Sequence, residues 1–481
     1  MVSLDFTEGY TRYSGAKMFS KMIKVTPVLT VAVLAVIIGV IPATAFAQKT
    51  LSLAQAIEQA QTNDPWIHGN KLKRSALLAQ SVAADTLPDP KMSLSMANVP
   101  TNTWNFDQEA MTQLKVGISQ MLPRGDERAI KQAQLQIDST KFPLLNQNRK
   151  AMIAVEVAQL WLDAYLAQKT ITLIQKDQAL FEQMADVAKA SYASAFGKTR
   201  QQDVIRSQLE LVQLADRLTA QYQGLDVAIA QLNEWLYTTN ESNNSDDTAS
   251  FNFDQQSVVL SVTDTLPIIR LSNAELFKSG HFSRNALAKI LLKHPSVLAL
   301  DVKQQVAQKN VALANEQYKP QWGVNASYAH RNDTEANTNR ADLLSVGVTF
   351  DLPFFTEARQ DKLVFSSIAQ AEAIKTEKSL RVKQMLSGVA QEVKQIHRLA
   401  QRQMLYKEKL IKQTHEQAEA SLTAYTNDDG SFSEVVRARI AELNARISAL
   451  QIDVNALKSV VRANYFLVQA KHQPLTRLGV K

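Results

Sequence analysis

Cysteine is absent from all 481 residues, which excludes Cys-ligated zinc, iron–sulfur clusters, a catalytic thiol and a lipid-modified N-terminal cysteine. Glycine (14) and proline (13) are sparse and aromatics amount to 7%. Collagen-like repeats are thereby excluded, and so few turn formers point to a helix-rich architecture. A composition of 45% hydrophobic and 21% charged residues excludes intrinsic disorder. Charge of one sign is not concentrated anywhere. The 53 Lys+Arg and 46 Asp+Glu residues leave a formal +7 but are interleaved, as on a mixed-sign helical surface rather than a nucleic-acid footprint. Histidines 68, 281, 294, 330, 397, 415 and 472 are scattered without metal-ligand spacing, so no metal site or cofactor is expected. Met92, Met96, Met111 and Met121 gather in one region, but two of them share an apolar face with Leu94 and read as packing or lipid-facing residues. There is no phosphate-binding glycine loop and no nucleophile motif, and enzyme activity is not expected.

What is present starts with Lys21 and Lys24 ahead of an apolar run over 25–41, which leads into Pro42-Ala43-Thr44-Ala45-Phe46-Ala47. That order is a secretory signal peptide over 22–47 with cleavage before Gln48, and residues 1–21 then form an upstream extension. The competing reading is an uncleaved anchor, since the run is as long as the shortest spanning helices. No later stretch is apolar enough to cross a bilayer as a helix, so a membrane role for the rest of the chain requires strands.

The sequence repeats itself at an offset of 230 residues. Pro65 falls on Pro295, Pro90 on Pro320, Val116-Gly117-Ile118 on Val346-Gly347-Val348, Leu122-Pro123 on Leu352-Pro353, and Ala190-Ser191 on Ala420-Ser421. Beyond one inserted residue near 428, Val204-Ile205-Arg206 falls on Val435-Val436-Arg437 and Asn233 on Asn464. The first repeat spans 48–237 and the second 285–470. A polar connector covers 238–284, and a tail 471–481 follows.

Each repeat reads as a helix of about 35 residues with an early proline, two short alternating segments, a helical pattern of about 70 residues, and a return helix after a turn. Val155, Ala158, Leu162 and Tyr165 mark one apolar stripe of the long helix. At 1.5 Å per residue that helix spans roughly 100 Å, a length the two shorter helices match end to end. Such a rod is expected to associate laterally with other copies. The strand candidates are 91–97, 112–121, 321–328 and 342–352, and all four alternate with period two. Met92, Leu94 and Met96 oppose Ser93 and Ser95; Leu114, Val116 and Ile118 oppose Lys115, Gly117 and Ser119. Trp322, Val324, Ala326 and Tyr328 oppose Gly323, Asn325 and Ser327; Leu344, Val346, Val348 and Phe350 oppose Ser345, Gly347 and Thr349. A soluble two-hairpin sheet would alternate in the same way; the export signal and the polar loops 98–111 and 329–341 tilt the reading to a transmembrane barrel. Four strands cannot close one, so the open edges must pair between subunits. Two hairpins leave all helices on one side of the bilayer, where they extend the pore as a tunnel.

This order of elements resembles the TolC family of outer-membrane efflux proteins. The resemblance is carried by Leu53-Ala54-Gln55-Ala56-Ile57 ahead of Asn63-Asp64-Pro65, by Leu87-Pro88-Asp89-Pro90-Lys91, by Val116-Gly117-Ile118-Ser119-Gln120 before Leu122-Pro123, and by Leu352-Pro353-Phe354-Phe355. It implies a mainly α fold with a small β part: a homotrimer in which four strands per chain make a twelve-stranded transmembrane β-barrel, continued by a long α-helical barrel in the periplasm. It implies an outer-membrane location, and a periplasmic adaptor and an RND-type inner-membrane transporter as partners. The wording Leu87-Pro88-Asp89-Pro90, Asn98-Val99-Pro100 and Ile118-Ser119-Gln120-Met121-Leu122-Pro123-Arg124-Gly125 resembles the branch serving heavy-metal pumps. The tips that would meet the adaptor are Ala195, Phe196, Gly197 and Lys198 in the first repeat and Asp428, Asp429 and Gly430 in the second. Family members often carry two acidic residues three apart after the second tip; here the positions hold Glu434 and Arg437, with Asp203 and Arg206 at the repeat-equivalent places. A doubled acidic ring is therefore not expected. Alternating Glu434 and Arg437 either pair around the constriction or form an ordinary solvated helix start. A type I secretion duct and a periplasmic coiled-coil scaffold are the other readings of the same pattern.

Overall fold

The computed structural model describes residues 50–194, 200–237, 239–240, 252–253, 261–277, 283–333, 338–427 and 429–471. The segments read as upstream extension and signal peptide, and all of the tail after Lys471, lie outside the described residues.

The first repeat runs β1 (Thr50–Leu51), α1 (Leu53–Asn63), α2 (Pro65–Ala84), β2 (Lys91–Ala97), β3 (Gln113–Met121), α3 (Glu127–Ser139), α4 (Lys141–Ala193) and α5 (Gln201–Leu236). The connector contributes β4 (Thr239–Asn240), β5 (Asn252–Phe253), β6 (Ser261–Val262) and a 3-10 turn, Ala274–Phe277. The second repeat follows with α6 (Arg284–Leu291), α7 (Pro295–Glu316), β7 (Trp322–His330), β8 (Leu343–Phe350), α8 (Gln360–Leu405), a π-helical turn Tyr406–Leu410, α9 (Ile411–Thr426) and α10 (Phe432–Phe466).

The first helix of each repeat is two helices rather than one of about 35 residues. Proline lacks an N–H and fixes φ, so it opens a helix more readily than it continues one. In the first repeat Asp64 caps the new start by accepting from the Trp66 amide at 3.3 Å. In the second, His294 Nδ1 accepts from the Ser296 amide at 3.2 Å. The long first-repeat helix likewise restarts after Thr140, two residues before Pro143, and its second-repeat counterpart is interrupted by the π turn. The 53 residues of α4 still extend about 80 Å, and α5 packs back along them as an antiparallel hairpin.

The largest core cluster lies around the middle of α4, where α1, α5, α10 and the connector strand β6 meet it. Ala158, Leu162 and Tyr165 are buried there, and Ile153, Val157 and Trp161 widen the stripe because α4 is covered on more than one side. The indole of Trp161 donates to the Leu51 carbonyl at 2.9 Å, which ties β1 to this core. A second core joins α6, α8 and the turn at Phe277, and a third holds α4, α5 and α10 together toward the hairpin tips.

The four longer strands form one antiparallel sheet in the order β2-β3-β7-β8, with β2 and β8 as unpaired edges. Two-residue pairs, β1 with β6 in parallel and β4 with β5 antiparallel, complete the strand inventory among the described residues.

Candidate channel wall and constriction

The register sorts the sheet into two faces. Met92 sits opposite Ile118, Ile118 opposite Ala326 and Ala326 opposite Val346; Leu94, Val116, Tyr328 and Leu344 form the next row. These side chains are open to the surroundings in a single chain, with Met92 79%, Leu344 75% and Val346 72% exposed. So large an apolar face in water would be costly, at about 25 cal/mol per Å². On the opposite face one row is Ser93, Gly117, Ser327 and Ser345, and another is Lys91, Ser119, Asn325 and Gly347. The glycines make room there for neighbouring polar side chains. A Cβ on Gly117 would lie 2.8 Å from Ser93 Oγ, and one on Gly347 2.8 Å from Asn325 Oδ1. One face thus suits hydrocarbon and the other a wet lumen.

Below the sheet the two repeats are bolted together. Arg124 donates to the Lys319 carbonyl at 2.8 Å and forms a bidentate pair with Asp351. Gly125 adopts φ +42°, and a Cβ there would collide with Glu316 Oε2. Glu316 in turn accepts from the Asp126 amide at 2.9 Å and pairs with Lys319 at 2.8 Å.

At the other end, Asp429 and Gly430 form the second tip with the Asp429 amide donating to the Ala424 carbonyl at 2.9 Å. A Cβ on Gly430 would meet the Tyr425 nitrogen at 2.9 Å. Phe432 packs edge-on against Tyr425 with centroids 5.6 Å apart. Ala195, Phe196, Gly197, Lys198 and Asp428 lie outside the described residues. Glu434 and Arg437 are both exposed at the start of α10, and among the described residues neither forms an ion pair within the chain. Asp203 caps α5 by accepting from the Arg200 amide at 3.1 Å, while Arg206 is exposed. The structure therefore holds these four side chains at helix starts near the tips and does not join Glu434 to Arg437 inside one chain.

A cluster that the sequence did not announce sits one to three turns further along α10. Glu442 is buried, and it accepts from His415 Nδ1 at 2.8 Å, from Arg439 at 3.0 Å and from Arg446. Arg439 reaches on to Glu419 at 2.7 Å. Burial works to raise the Glu442 carboxyl, but the hydrogen bonds from His415 and Arg439 and the two guanidinium charges outweigh it and hold the group below the usual range. Burial pushes the nearby Asp177 carboxyl of α4 upward. The spacing of Arg439, Glu442 and Arg446 on one helix face was visible in the sequence; the partners on α9 were not, because nothing there sets the register of α9 against α10.

No family model and no curated protein matches this sequence. Solved structures do. VceC, an outer-membrane protein of Vibrio cholerae, superposes with a TM-score of 0.68 at 12% identity over 86% of this chain and 95% of that one. The open-state MtrE outer-membrane channel of Neisseria gonorrhoeae gives 0.64 at 12% over 86% and 88%, and CusC gives 0.65 at 13% over 87% and 92%.

The fold is that of the TolC-type outer-membrane channels.

In a TolC-type fold the sheet is a segment of the barrel wall and the helices continue it as a second barrel. In this chain the Arg124–Asp351 and Glu316–Asp126 contacts join the two repeats beside the sheet, and the Glu442 cluster fastens α9 to α10. No helix among the described residues is long and apolar enough to cross a membrane.

Proposed function

We propose that this chain is the outer-membrane exit duct of a tripartite efflux system, a passive homotrimeric channel that carries substrate from a periplasmic pump to the outside. The observation that carries the reading is the sheet: one largely apolar, mostly exposed face interrupted by Gln120 and His330, one small and polar face, and two unpaired edges. Its strands alternate in direction, so β8 of one copy runs antiparallel to β2 of the next, and three copies close twelve strands without a fault in the ladder. Each copy then buries its edges against its neighbours and turns its apolar face to lipid.

The tips, with Asp429 and Gly430 at their described end, would meet a periplasmic adaptor that links the duct to an RND-type inner-membrane transporter. Glu434, Arg437, Asp203 and Arg206 would line the constriction, and since Glu434 and Arg437 have no ion partner among the described residues of one chain, pairing between chains is open to them. The motif wording around the first strand pair favours a pump for heavy-metal ions, which are cargo and not a resident cofactor.

The test is growth of a deletion strain and its complemented parent on copper, silver, zinc, cobalt and cadmium salts beside lipophilic drugs and bile salts. Sensitivity confined to metals supports the metal-pump duct. Sensitivity to drugs or detergents reassigns the duct to multidrug efflux. Absence of any heat-modifiable oligomer from the outer-membrane fraction overturns the channel reading altogether.

A further inference from the structure

Between α2 and the first turns of α4 lies a cavity of about 400 Å³ whose lining contains no carboxylate. Ile67, Phe142 and Pro143 provide apolar wall, and Lys71, Arg74 and Lys150 provide three cations. None of the three cations has an ion-pair partner among the described residues, although neighbouring Arg149 has found Asp64 at 2.8 Å and Lys141 has found Asp138 at 2.7 Å. The Nε of Arg74 is buried with no acceptor at all.

The two amides of the lining sharpen the picture. Asn70 donates to Asn146 Oδ1 at 2.7 Å, which fixes the amide's orientation and leaves the Asn146 NH2 available to donate. Gln147 is spent on the backbone of Lys471, donating to its carbonyl at 3.1 Å and accepting from its amide at 2.9 Å, and serves as wall. The charged groups of the lining are therefore all cations, and the Asn146 NH2 adds a neutral donor beside them.

The tandem repeat supplies an internal control. At the places 230 residues later stand Asp301, Gln304, Thr376, Glu377 and Leu380, for Lys71, Arg74, Asn146, Gln147 and Lys150. There the charges are satisfied within the chain, Asp301 by Lys378 and Glu377 by Lys303 at 2.7 Å. At these equivalent positions the unpaired cations stand in the first repeat and not in the second.

The geometry points to a binding site for a small organic anion, a phosphate or carboxylate head with a compact apolar body, held by Lys71, Arg74, Lys150 and the Asn146 amide against Ile67 and Phe142. The volume is within the range of small-molecule pockets, and a guanidinium flanked by two ammonium groups matches a dianion. The site is remote in sequence from the constriction and independent of the proposed transport role.

Titration calorimetry on the purified, detergent-solubilised full-length protein at low ionic strength tests this, with phenyl phosphate, inorganic phosphate and benzoate as probes. Saturable binding of phenyl phosphate at one per chain, tighter than inorganic phosphate, is the expected result. Benzoate binding more tightly than phenyl phosphate assigns the head group as carboxylate. Arg74→Gln should weaken binding at least tenfold. Lys150→Leu, which places there the residue of the second repeat and leaves the helix packing untouched, should do the same at an unchanged melting temperature. Absence of saturable binding for all three probes, as when a neighbouring copy's carboxylate fills the cavity, overturns the proposal; so does binding that both variants leave unaltered.

Discussion

Removing the Glu442 carboxylate should loosen the α9–α10 hairpin without unfolding the rest of the protein. The side chain is 4% exposed and holds Arg439, itself 12% exposed, and Arg446, 33% exposed, while His415 is half in solvent. Breaking a fully buried ion pair by deleting one partner costs about 3–5 kcal/mol. The partial exposure of Arg446 and His415 reduces that, and Glu442→Ala is expected to cost about 2 kcal/mol, roughly a thirtyfold shift in the local opening equilibrium. Amide hydrogen exchange reads it directly: the amides of α9 and of α10 around residue 442 should exchange about thirty times faster, with the core around Trp161 unchanged. The pH dependence has a definite sign. The folded-state carboxyl is held below its ordinary value of 4.5, so its stabilisation is fully present above that pH and is lost as pH falls through the lower folded value. Wild-type protection in α9 should decline in that acid window, and Glu442→Gln should remove the dependence. Unchanged exchange in α9 for Glu442→Ala would refute the view that this cluster fastens the hairpin.

Three further outcomes follow from other sites. Gly125→Ala should lower thermal stability by about 2 kcal/mol or more and disturb the joint between sheet and helices, since φ +42° is strained for alanine and the added Cβ meets Glu316; a melt with no shift would contradict the geometry. Burial pushes the His294 imidazole down to about 4, against 6.5 unfolded, so stability should drain away as pH falls from 6.5 toward 4, by about 3 kcal/mol in all, and His294→Gln should flatten the profile in denaturant titrations. In planar bilayers Glu434→Ala should conduct more readily than wild type, because Glu434 and Arg437 of neighbouring copies pair across the constriction; conductance unchanged from wild type would show the two side chains to be merely solvated.

The helix-rich class with its small sheet was legible because each signal is local. Period-two alternation in Leu344 to Phe350 writes the two environments of a strand into adjacent letters, and a repeat at constant offset needs no structure to be seen. The breaks within the helices were less legible. Pro65 and Pro295 read equally as a tolerated early proline or as a new helix start, and only the caps at Asp64 and His294 decide between them. The π turn at Tyr406–Leu410 has no breaker residue to mark it. The Glu442 cluster, the Arg124–Asp351 joint and the Asn146 orientation were hidden for a different reason: each depends on which helix lies beside which and in what register, and that is fixed by packing far from the residues concerned.

The two bare edges of the sheet carry a genetic consequence. In the trimeric reading every copy is half of two seams, so a chain with an unpairable β8 edge spoils any ring that includes it. Equal co-expression of such a chain with wild type would leave about one ring in eight intact. Damage at that edge should therefore be dominant, whereas damage confined to the lumen side of one strand should be diluted by its neighbours and pass almost unnoticed.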